Sequence, residues 1–318
     1  MTDILVTSAG RRVELVEAFI AEAERIGGKV HATDLEPGLS SACQVAAKAH
    51  KLPRVTASDY ADRLLDLCKA EGIGMIVPTI DPELLVLAEH RERFAAEGVH
   101  AIISDAEMIA HCRDKRRTGD YFNSIGLDAP ALMDKDALSF PCFAKPIDGS
   151  SGIGARLLEN AEQVTNDLLE DPKMMFMEYV DGSHREYTVD AYYDRQGKLR
   201  CWVPRERIAI RAGEVAKGVT RRNFVYERLG KILPNIEGAR GCLTVQVFGR
   251  EEDQRLLGIE INPRFGGGYP LAHAAGANYP AMLVNEYLLG EDARDIADWK
   301  ANLLMLRYDA KVLVHDHV

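Results

Sequence analysis

The first hundred residues alternate between short apolar runs and helical patterns, and this alternation constrains the fold more than any other feature. Asp3–Thr7 is typical of a strand, Val13–Arg25 has apolar residues at helical spacing, and Lys29–Thr33 is typical of a second strand. A β-α-β alternation of this kind predicts a doubly wound parallel sheet that binds ligands at the carboxyl ends of its strands. The pattern continues with predicted helices at 60–72 and 82–97 and predicted strands at 74–78 and 99–103.

The turn after the first strand, Ser8–Arg12, argues against a dinucleotide-binding enzyme. It holds a single glycine, whereas the dinucleotide motif needs three at G-x-G-x-x-G spacing. A second loop follows the predicted strand at 74–78 and carries Thr79, Asp81 and Glu83. These side chains are candidate substrate contacts because they follow a strand end, although capping of the next helix explains Asp81 and Glu83 equally well.

The composition favours a soluble globular protein with more than one domain. The chain has 318 residues, of which 47% are hydrophobic and 28% charged, and this length exceeds what a single core usually organises. A net charge of -10 argues against general binding to nucleic acid or to anionic membranes. Six scattered cysteines form no CxxC pair, and neither a leader pattern nor an apolar run of membrane-spanning length is found. We therefore expect a cytoplasmic protein with reduced thiols.

Late in the chain, Leu257–Gly268 combines a strand pattern with residues that suit a metal ion. Side chains alternate along a strand, so Glu260 and Asn262 share one face while the isoleucines beside them face a core. A carboxylate and an amide oxygen on a rigid strand are hard ligands, which suit Mg²⁺. Arg264 adds a cation, and Gly266–Gly268 would let a ligand approach the backbone closely. A solvated strand edge followed by a glycine loop is the alternative interpretation.

A lysine and a loop rich in glycine and serine mark the middle of the chain. Lys145 lies at the end of an apolar strand pattern, 140–146, and the loop 148–154 leads into a returning strand. Backbone N–H groups and hydroxyls at such a hairpin tip can cover phosphates, with the lysine as a point charge. The spacing is not that of a P-loop, and an ordinary hairpin is the alternative. The predicted helix at 106–125 carries a basic cluster, 113–117, which by itself is typical of a solvated face.

Three segments occur in an order that resembles the ATP-grasp superfamily, in particular its carbamoyl-phosphate-synthase-like carboxylate-amine ligases. They are Lys145 with its loop, Met175–Asp190 and Glu260–Arg264, and the likeness covers essentially the whole chain. The resemblance implies an α/β fold in three parts. These are an N-terminal Rossmann-like doubly wound parallel sheet at 1–105, a lid subdomain with its linking helix at 106–180, and a C-terminal antiparallel-sheet subdomain with the metal and phosphate site at 181–318.

In proteins of this kind ATP lies between the lid and the C-terminal sheet together with Mg²⁺, for which Mn²⁺ is an alternative ion. Glu260 and Asn262 resemble the metal ligands, and Gln246 is expected on the same face. Because glutamine carries no charge, a second metal should bind more weakly there. The residues that the resemblance assigns to the nucleotide are Lys115, Lys145, Ser150, Ser151 and Gly152 for the phosphates, Glu178, Tyr179 and Val180 for the adenine, and Glu186 for the ribose.

The catalytic residues that the resemblance implies are two arginines. Arg264 would stabilise the transferred phosphoryl group, and Arg211 would lie near the γ-phosphate and the incoming carboxylate. The glycine loop and the segment after it, 266–278, are expected to shape the acceptor pocket, and we favour a helix-surface role over a base role for His273. Weaker candidates for anion contacts are Arg205, Arg207 and Lys217.

The resemblance implies an ADP-forming ligase that activates a small-molecule carboxylate as an acyl phosphate for attack by an amine. A kinase-like enzyme on the same scaffold and a catalytically silent nucleotide-binding regulator are the alternatives. The presence of Lys145, Glu260, Asn262 and Arg264 argues against the silent regulator. The implied partners are the two small substrates, with a homodimer as the default assembly. The identity of the carboxylate and of the amine does not follow from the sequence.

Overall fold

Three β-sheets organise the computed structural model, which describes residues 2–148, 153–211 and 213–315. One sheet is parallel and two are antiparallel, as expected for an α/β protein with antiparallel later parts. In the described part of the chain, no helix has both the length and the apolar character needed to cross a bilayer.

The N-terminal sheet has the strand order β3-β2-β1-β4-β5, and all of its neighbouring strands are parallel. The order reverses direction beside the first strand, which confirms the predicted doubly wound sheet. Val16 and Phe19 on the first helix are fully buried against this sheet. The elements of this part are β1 (Asp3–Thr7), α1 (Val13–Arg25), β2 (Val30–Asp34), α2 (Ser41–Val45), β3 (Lys48–Lys51), α3 (Tyr60–Glu71), β4 (Ile73–Pro78), α4 (Asp81–Glu89), α5 (Arg91–Ala96) and β5 (His100–Ala101).

Two helices that the sequence pattern predicts as continuous are each divided in the structure. The predicted helix at 82–97 becomes α4 and α5, with His90 between them. The predicted helix at 106–125 becomes α6 (Ala106–Arg113) and α7 (Lys115–Ser124). The division falls at Asp114, whose backbone is extended and whose carboxylate accepts the Arg116 N–H at 2.9 Å. A side chain that caps a new helix start competes with continuation of the preceding helix.

The central sheet has four strands in the order β6-β9-β7-β8, and its neighbouring strands are antiparallel. Lys145 is paired with Met175, so the lysine strand and the predicted adenine strand are direct neighbours. The elements are β6 (Leu132–Met133), β7 (Cys142–Pro146), β8 (Arg156–Leu158), α8 (Asn166–Glu170) and β9 (Met174–Glu178).

The C-terminal sheet has six strands in the order β14-β13-β10-β11-β12-β15, again antiparallel between neighbours. One face packs on apolar residues such as Val245, Val247 and Ile261, whereas the other face carries the polar side chains of the site. The elements are β10 (Arg185–Tyr193), β11 (Leu199–Arg211), β12 (Glu214–Thr220), α9 (Phe224–Ile232), β13 (Gly241–Arg250), β14 (Arg255–Asn262), α10 (Tyr269–Ala274), α11 (Tyr279–Leu283) and β15 (Leu304–Leu306).

Candidate active site

Two adjoining cavities lie on the polar face of the C-terminal sheet. The first, of about 370 Å³, lies between this sheet and the central sheet. The second, of about 710 Å³, lies between the same sheet and the loops at the carboxyl ends of β1 and β4. Residues that line both cavities mark where the two meet, and they are Lys115, Asp148, Arg207, Gly213, Gln246 and Glu260.

The smaller cavity collects the described residues that the sequence assigned to the nucleotide. Lys145 from β7 lines it together with Glu178 from the neighbouring β9 and the two residues that follow. The pKa of Lys145 is lowered to about 8, mainly by burial and also by the nearby Lys115, while Glu260 acts in the opposite direction. A lysine in such a place is poised to bind an anion, because a bound anion would favour its charged form.

The predicted ribose residue, Glu186, lies in the same cavity and forms an ion pair with Arg207. Burial raises the pKa of Glu186, and the neighbouring guanidinium opposes that rise. The same Arg207 Nη1 donates to Gln246 Oε1 at 3.2 Å, so one arginine links the ribose and metal positions. Arg207 was only a weak candidate in the sequence, because a basic residue on a long strand is usually solvated.

The three predicted metal ligands contact one another at one point of the sheet. Gln246 on β13 is paired in register with Glu260 on β14 and donates to Glu260 Oε1 at 2.7 Å. Asn262 Nδ2 donates to the same carboxylate oxygen at 2.9 Å. The expectation that Gln246 shares a face with Glu260 therefore agrees with the register. These oxygen donors suit Mg²⁺ but provide one negative charge, so phosphates and water would have to complete the coordination.

Arg264, two residues after Asn262, is held by the N-terminal domain. Its Nε donates to Asp81 Oδ1 at 3.1 Å and its Nη2 to Asp81 Oδ2 at 2.7 Å. The same Nη2 also donates to Asn262 Oδ1 at 3.2 Å. The helix-cap explanation for Asp81 does not apply, since α4 has no side-chain cap hydrogen bond and Asp81 lines the larger cavity. A two-point ion pair of this kind fixes the plane of the guanidinium.

Glu83, the other acid of that loop, is fully buried and lines neither cavity. The hydroxyl of Tyr60 donates to Glu83 Oε1, and the hydroxyl of Ser8 donates to Oε2 at 3.4 Å. Burial raises the pKa of Glu83 to about 7, and these hydroxyls oppose the rise. Glu83 is therefore not placed to contact a substrate directly, which was one of the two roles considered from the sequence.

Arg211 and Lys217 are exposed on β11 and β12, and neither lines either of the two cavities described above. Arg211 pairs with Asp309 near the end of the described chain and is 63% exposed, so the structure does not bring it to the predicted phosphate position. Hairpin registers are set by turn geometry, and the sequence does not show which face a basic residue near the tip will take. Ser150, Ser151 and Gly152 lie outside the described residues.

Neither Arg205 nor His273 is placed as a residue that only contacts a substrate. Arg205 is 1% exposed and forms a buried two-point ion pair with Asp190, at 2.6 and 3.1 Å, while its edge lines the larger cavity. His273 is half-buried on α10 beside Tyr269, and burial lowers its pKa. His273 lines neither cavity, which agrees with the preference against a base role.

Two family models match separate parts of the chain and together account for most of it. The PylC-like, N-terminal domain model matches residues 4–102. The model described as ATP-grasp in the biosynthetic pathway with Ter operon matches residues 170–309, which include Glu186, Gln246 and the Glu260–Asn262 pair. The chain belongs to the ATP-grasp superfamily. The resemblance to this superfamily that three sequence segments indicated is thereby confirmed.

Curated relatives of this ATP-grasp chain include ligases. A 3-methyl-D-ornithine--L-lysine ligase from Methanosarcina acetivorans is 28% identical over 49% of this chain and 44% of its own length. A formate-dependent phosphoribosylglycinamide formyltransferase from Thioalkalivibrio sulfidiphilus is 26% identical over 52% of this chain and 41% of its own. The chain thus matches less than half of the length of either relative.

Solved structures agree with the ATP-grasp fold. The biotin carboxylase domain of Hydrogenobacter thermophilus 2-oxoglutarate carboxylase, crystallised with magnesium ADP and bicarbonate, superposes with a TM-score of 0.74. The match covers 95% of this chain and 73% of that chain at 17% identity. At this identity the likeness concerns the fold, and it confirms the predicted combination of a parallel N-terminal sheet with ATP-grasp sheets.

Proposed function

We propose that this chain is an ATP- and Mg²⁺-dependent, ADP-forming ligase that joins a small-molecule carboxylate to an amine. The observation that carries the proposal is the continuity of two cavities through Glu260 and Gln246. One cavity is lined by the residues predicted to contact a nucleotide, and the other is lined in part by loops of the N-terminal sheet. A nucleotide and a second ligand can therefore meet at the predicted metal ligands.

The proposed reaction has two steps. A carboxylate oxygen of the first substrate attacks the γ-phosphorus of ATP, the bond from that phosphorus to the β-phosphate oxygen breaks, and ADP leaves. The amine nitrogen then attacks the acyl carbon, the bond from this carbon to the phosphate oxygen breaks, and phosphate leaves while the nitrogen loses a proton. Activation is needed because a carboxylate is a poor electrophile, whereas phosphate is a good leaving group.

The roles of the side chains follow from their positions. Lys145 and Lys115 neutralise charge on the phosphates, and Glu186 accepts hydrogen bonds from the ribose hydroxyls. Glu260, Asn262 and Gln246 would hold Mg²⁺, and the bound ion would neutralise charge on the phosphates of the nucleotide. Arg264, oriented by Asp81, stabilises the phosphoryl group in transfer. Mn²⁺ is proposed as a substitute ion because its oxygen-ligand preferences are similar.

The relatives support the ligase chemistry. The Methanosarcina acetivorans relative is named as a ligase of an ornithine derivative and lysine, which is the union of a carboxylate with an amine. The Hydrogenobacter thermophilus structure holds magnesium ADP, which is consistent with a nucleotide and Mg²⁺ on this fold. We also propose the three-domain division at 1–105, 106–180 and 181–318, supported by one sheet within each segment.

Release of ADP measured with pools of carboxylates and amines tests the proposal. ADP release that requires both pools supports the ligase. Release that requires a carboxylate but no amine would instead indicate a kinase, and absence of release with every pool would indicate a nucleotide-binding regulator. A cytoplasmic location and a homodimer are parts of the proposal that cell fractionation and light scattering can check.

A further inference from the structure

The larger cavity has a corner that the proposed phosphoryl chemistry does not use. It is formed by Arg12, Glu214 and the loop Gly266–Gly268, and we call it the Arg12–Glu214 corner. Arg12 comes from the turn after β1, and Glu214 is the first residue of β12. The corner therefore lies where the N-terminal domain faces the C-terminal sheet.

Within the described part of the chain, Arg12 is a cation without an acidic partner. Its Nη1 donates to the carbonyl oxygen of Phe265 at 3.1 Å and its Nη2 to that of Thr79 at 3.0 Å. Among residues 2–148, 153–211 and 213–315, no carboxylate lies within 4.0 Å of its guanidinium. Arg264 Nη1 donates to the same Phe265 oxygen at 3.2 Å, so two guanidinium groups share one acceptor. Cations in such surroundings are normally paired with an anion.

The electrostatic surroundings of Arg12 agree with a missing anion. Burial is the main reason that the pKa of Arg12 is lowered to about 10, and the positive charge of Arg264 lowers it further. Asp81 is engaged by Arg264 and Glu214 by Arg307. Neither acid contacts Arg12 among the described residues, so a bound carboxylate would supply the counter-ion that this guanidinium lacks.

Glu214 supplies an oxygen of the opposite charge beside the same loop. Arg307 engages its Oε2 at 2.9 Å, and the exposed Arg11 lies 3.9 Å from its Oε1. The loop leaves space in front of Glu214 and of the neighbouring Arg205 because it has no side chains. A Cβ on Gly267 would lie 3.0 Å from Glu214 Oε1, and one on Gly268 would lie 2.3 Å from Arg205 Nη1.

We infer that the Arg12–Glu214 corner binds a zwitterion, and that the amine-bearing substrate is an amino acid. Its carboxylate binds Arg12 and its ammonium group binds Glu214 Oε1. This inference rests on the proposed function for the role of the ligand as a substrate. The binding of the ligand itself does not depend on turnover.

Calorimetric titration of the full chain with the common amino acids, each with and without magnesium ADP, tests the inference. The amino acid that binds is titrated again as its α-amide and as its N-acetyl derivative, and succinate serves as an anion without an amine. For the wild type we expect the α-amide and the N-acetyl derivative to bind about tenfold or more weakly than the free amino acid. Three results would each overturn the inference. They are equal affinity for the amino acid and its α-amide, binding of succinate without binding of any amino acid, and binding of no amino acid in either condition.

Variants assign the two charges. Arg12→Gln should lose the preference for the free amino acid over its α-amide, Arg12→Lys should retain part of it, and Glu214→Gln should lose the preference over the N-acetyl derivative. Arg63→Gln is the control, since Arg63 is exposed and pairs with Asp59 away from the larger cavity. If Arg12 had only a structural role, its replacement would weaken the binding of all three ligands equally, and that result would contradict the inference. If Arg12→Gln does not fold, an unchanged preference in Arg12→Lys and in Glu214→Gln is the contradicting result.

The ligase proposal fails by a different measurement. Absence of amine-dependent ADP release would remove the ligase and leave an amino-acid site, whereas absence of amino-acid binding with intact ADP release would remove only the site.

Discussion

Asp81 and Arg264 form a two-point ion pair across the interface between the N-terminal domain and the C-terminal sheet, at 3.1 and 2.7 Å. Asp81 begins the helix that follows β4, and Arg264 follows the predicted metal ligands. The pair fixes the guanidinium beside Asn262, so a residue outside the proposed nucleotide cavity controls the orientation of the proposed catalytic arginine.

Asp81→Asn should therefore reduce kcat about 10- to 100-fold while the KM for ATP stays close to the wild-type value. The amide keeps the shape but loses the charge and one acceptor, so Arg264 is held less firmly. Steady-state ADP release measures both constants. Asp62→Asn is the matched control because Asp62 pairs with Arg93 on the surface. An unchanged kcat in Asp81→Asn would show that Arg264 does not need this partner.

Glu260→Ala should lower ADP release at least about a hundredfold and leave the fold intact. Glu260 points away from the apolar core, so we expect a change in the free energy of unfolding of no more than about 1 kcal/mol. Glu252→Ala, in the exposed turn between β13 and β14, controls for loss of an acid from the same hairpin. Wild-type ADP release by Glu260→Ala would remove this residue from the metal site.

The pKa of Lys145, about 8, predicts a pH dependence of ATP binding. The lysine is largely charged at pH 7 and largely neutral at pH 9, and phosphate binding needs the charged form. ATP affinity should therefore fall as the pH rises across this range. Calorimetric titration should show a weaker dependence in Lys145→Arg, whose side chain stays charged, and weak binding at every pH in Lys145→Ala. Equal pH dependence in the wild type and in Lys145→Arg would contradict a phosphate role for Lys145.

Buried Glu83, with a pKa of about 7, should make stability depend on pH. The folded-state pKa lies above that of the unfolded chain, so the folded state binds more protons between about pH 4.5 and pH 7. The free energy of unfolding should fall as the pH rises through this window, by on the order of 3 kcal/mol from this group. Urea unfolding at pH 5 and pH 8 should show a smaller fall in Glu83→Gln than in the wild type.

Glu89→Gln serves as the control for that comparison, because Glu89 is exposed on the same helix. It should follow the wild-type curve. If Glu83→Gln also followed it, the carboxyl group of Glu83 would not be the source of the pH dependence.

Local patterns in the sequence were sufficient for the architecture and for several members of the site. Alternation of apolar runs and helical spacing predicted the parallel N-terminal sheet. The period of two along a strand placed Glu260 beside Asn262, and the hairpin turn placed Gln246 opposite Glu260. These predictions succeed because they depend on the geometry of one strand or one hairpin, which the chain specifies over a few residues.

Pairings between distant parts of the chain were decided only by the tertiary structure. The sequence named Asp81 and Arg264 separately, and it gave Arg12 no role beyond the turn after β1. It put Arg211 near the γ-phosphate, whereas in the structure Arg207 of the same strand lines both cavities and Arg211 pairs with Asp309. Ion pairs between separate domains depend on how sheets pack against each other and on which face of a long hairpin each side chain takes. Neither is encoded in the local spacing of residues.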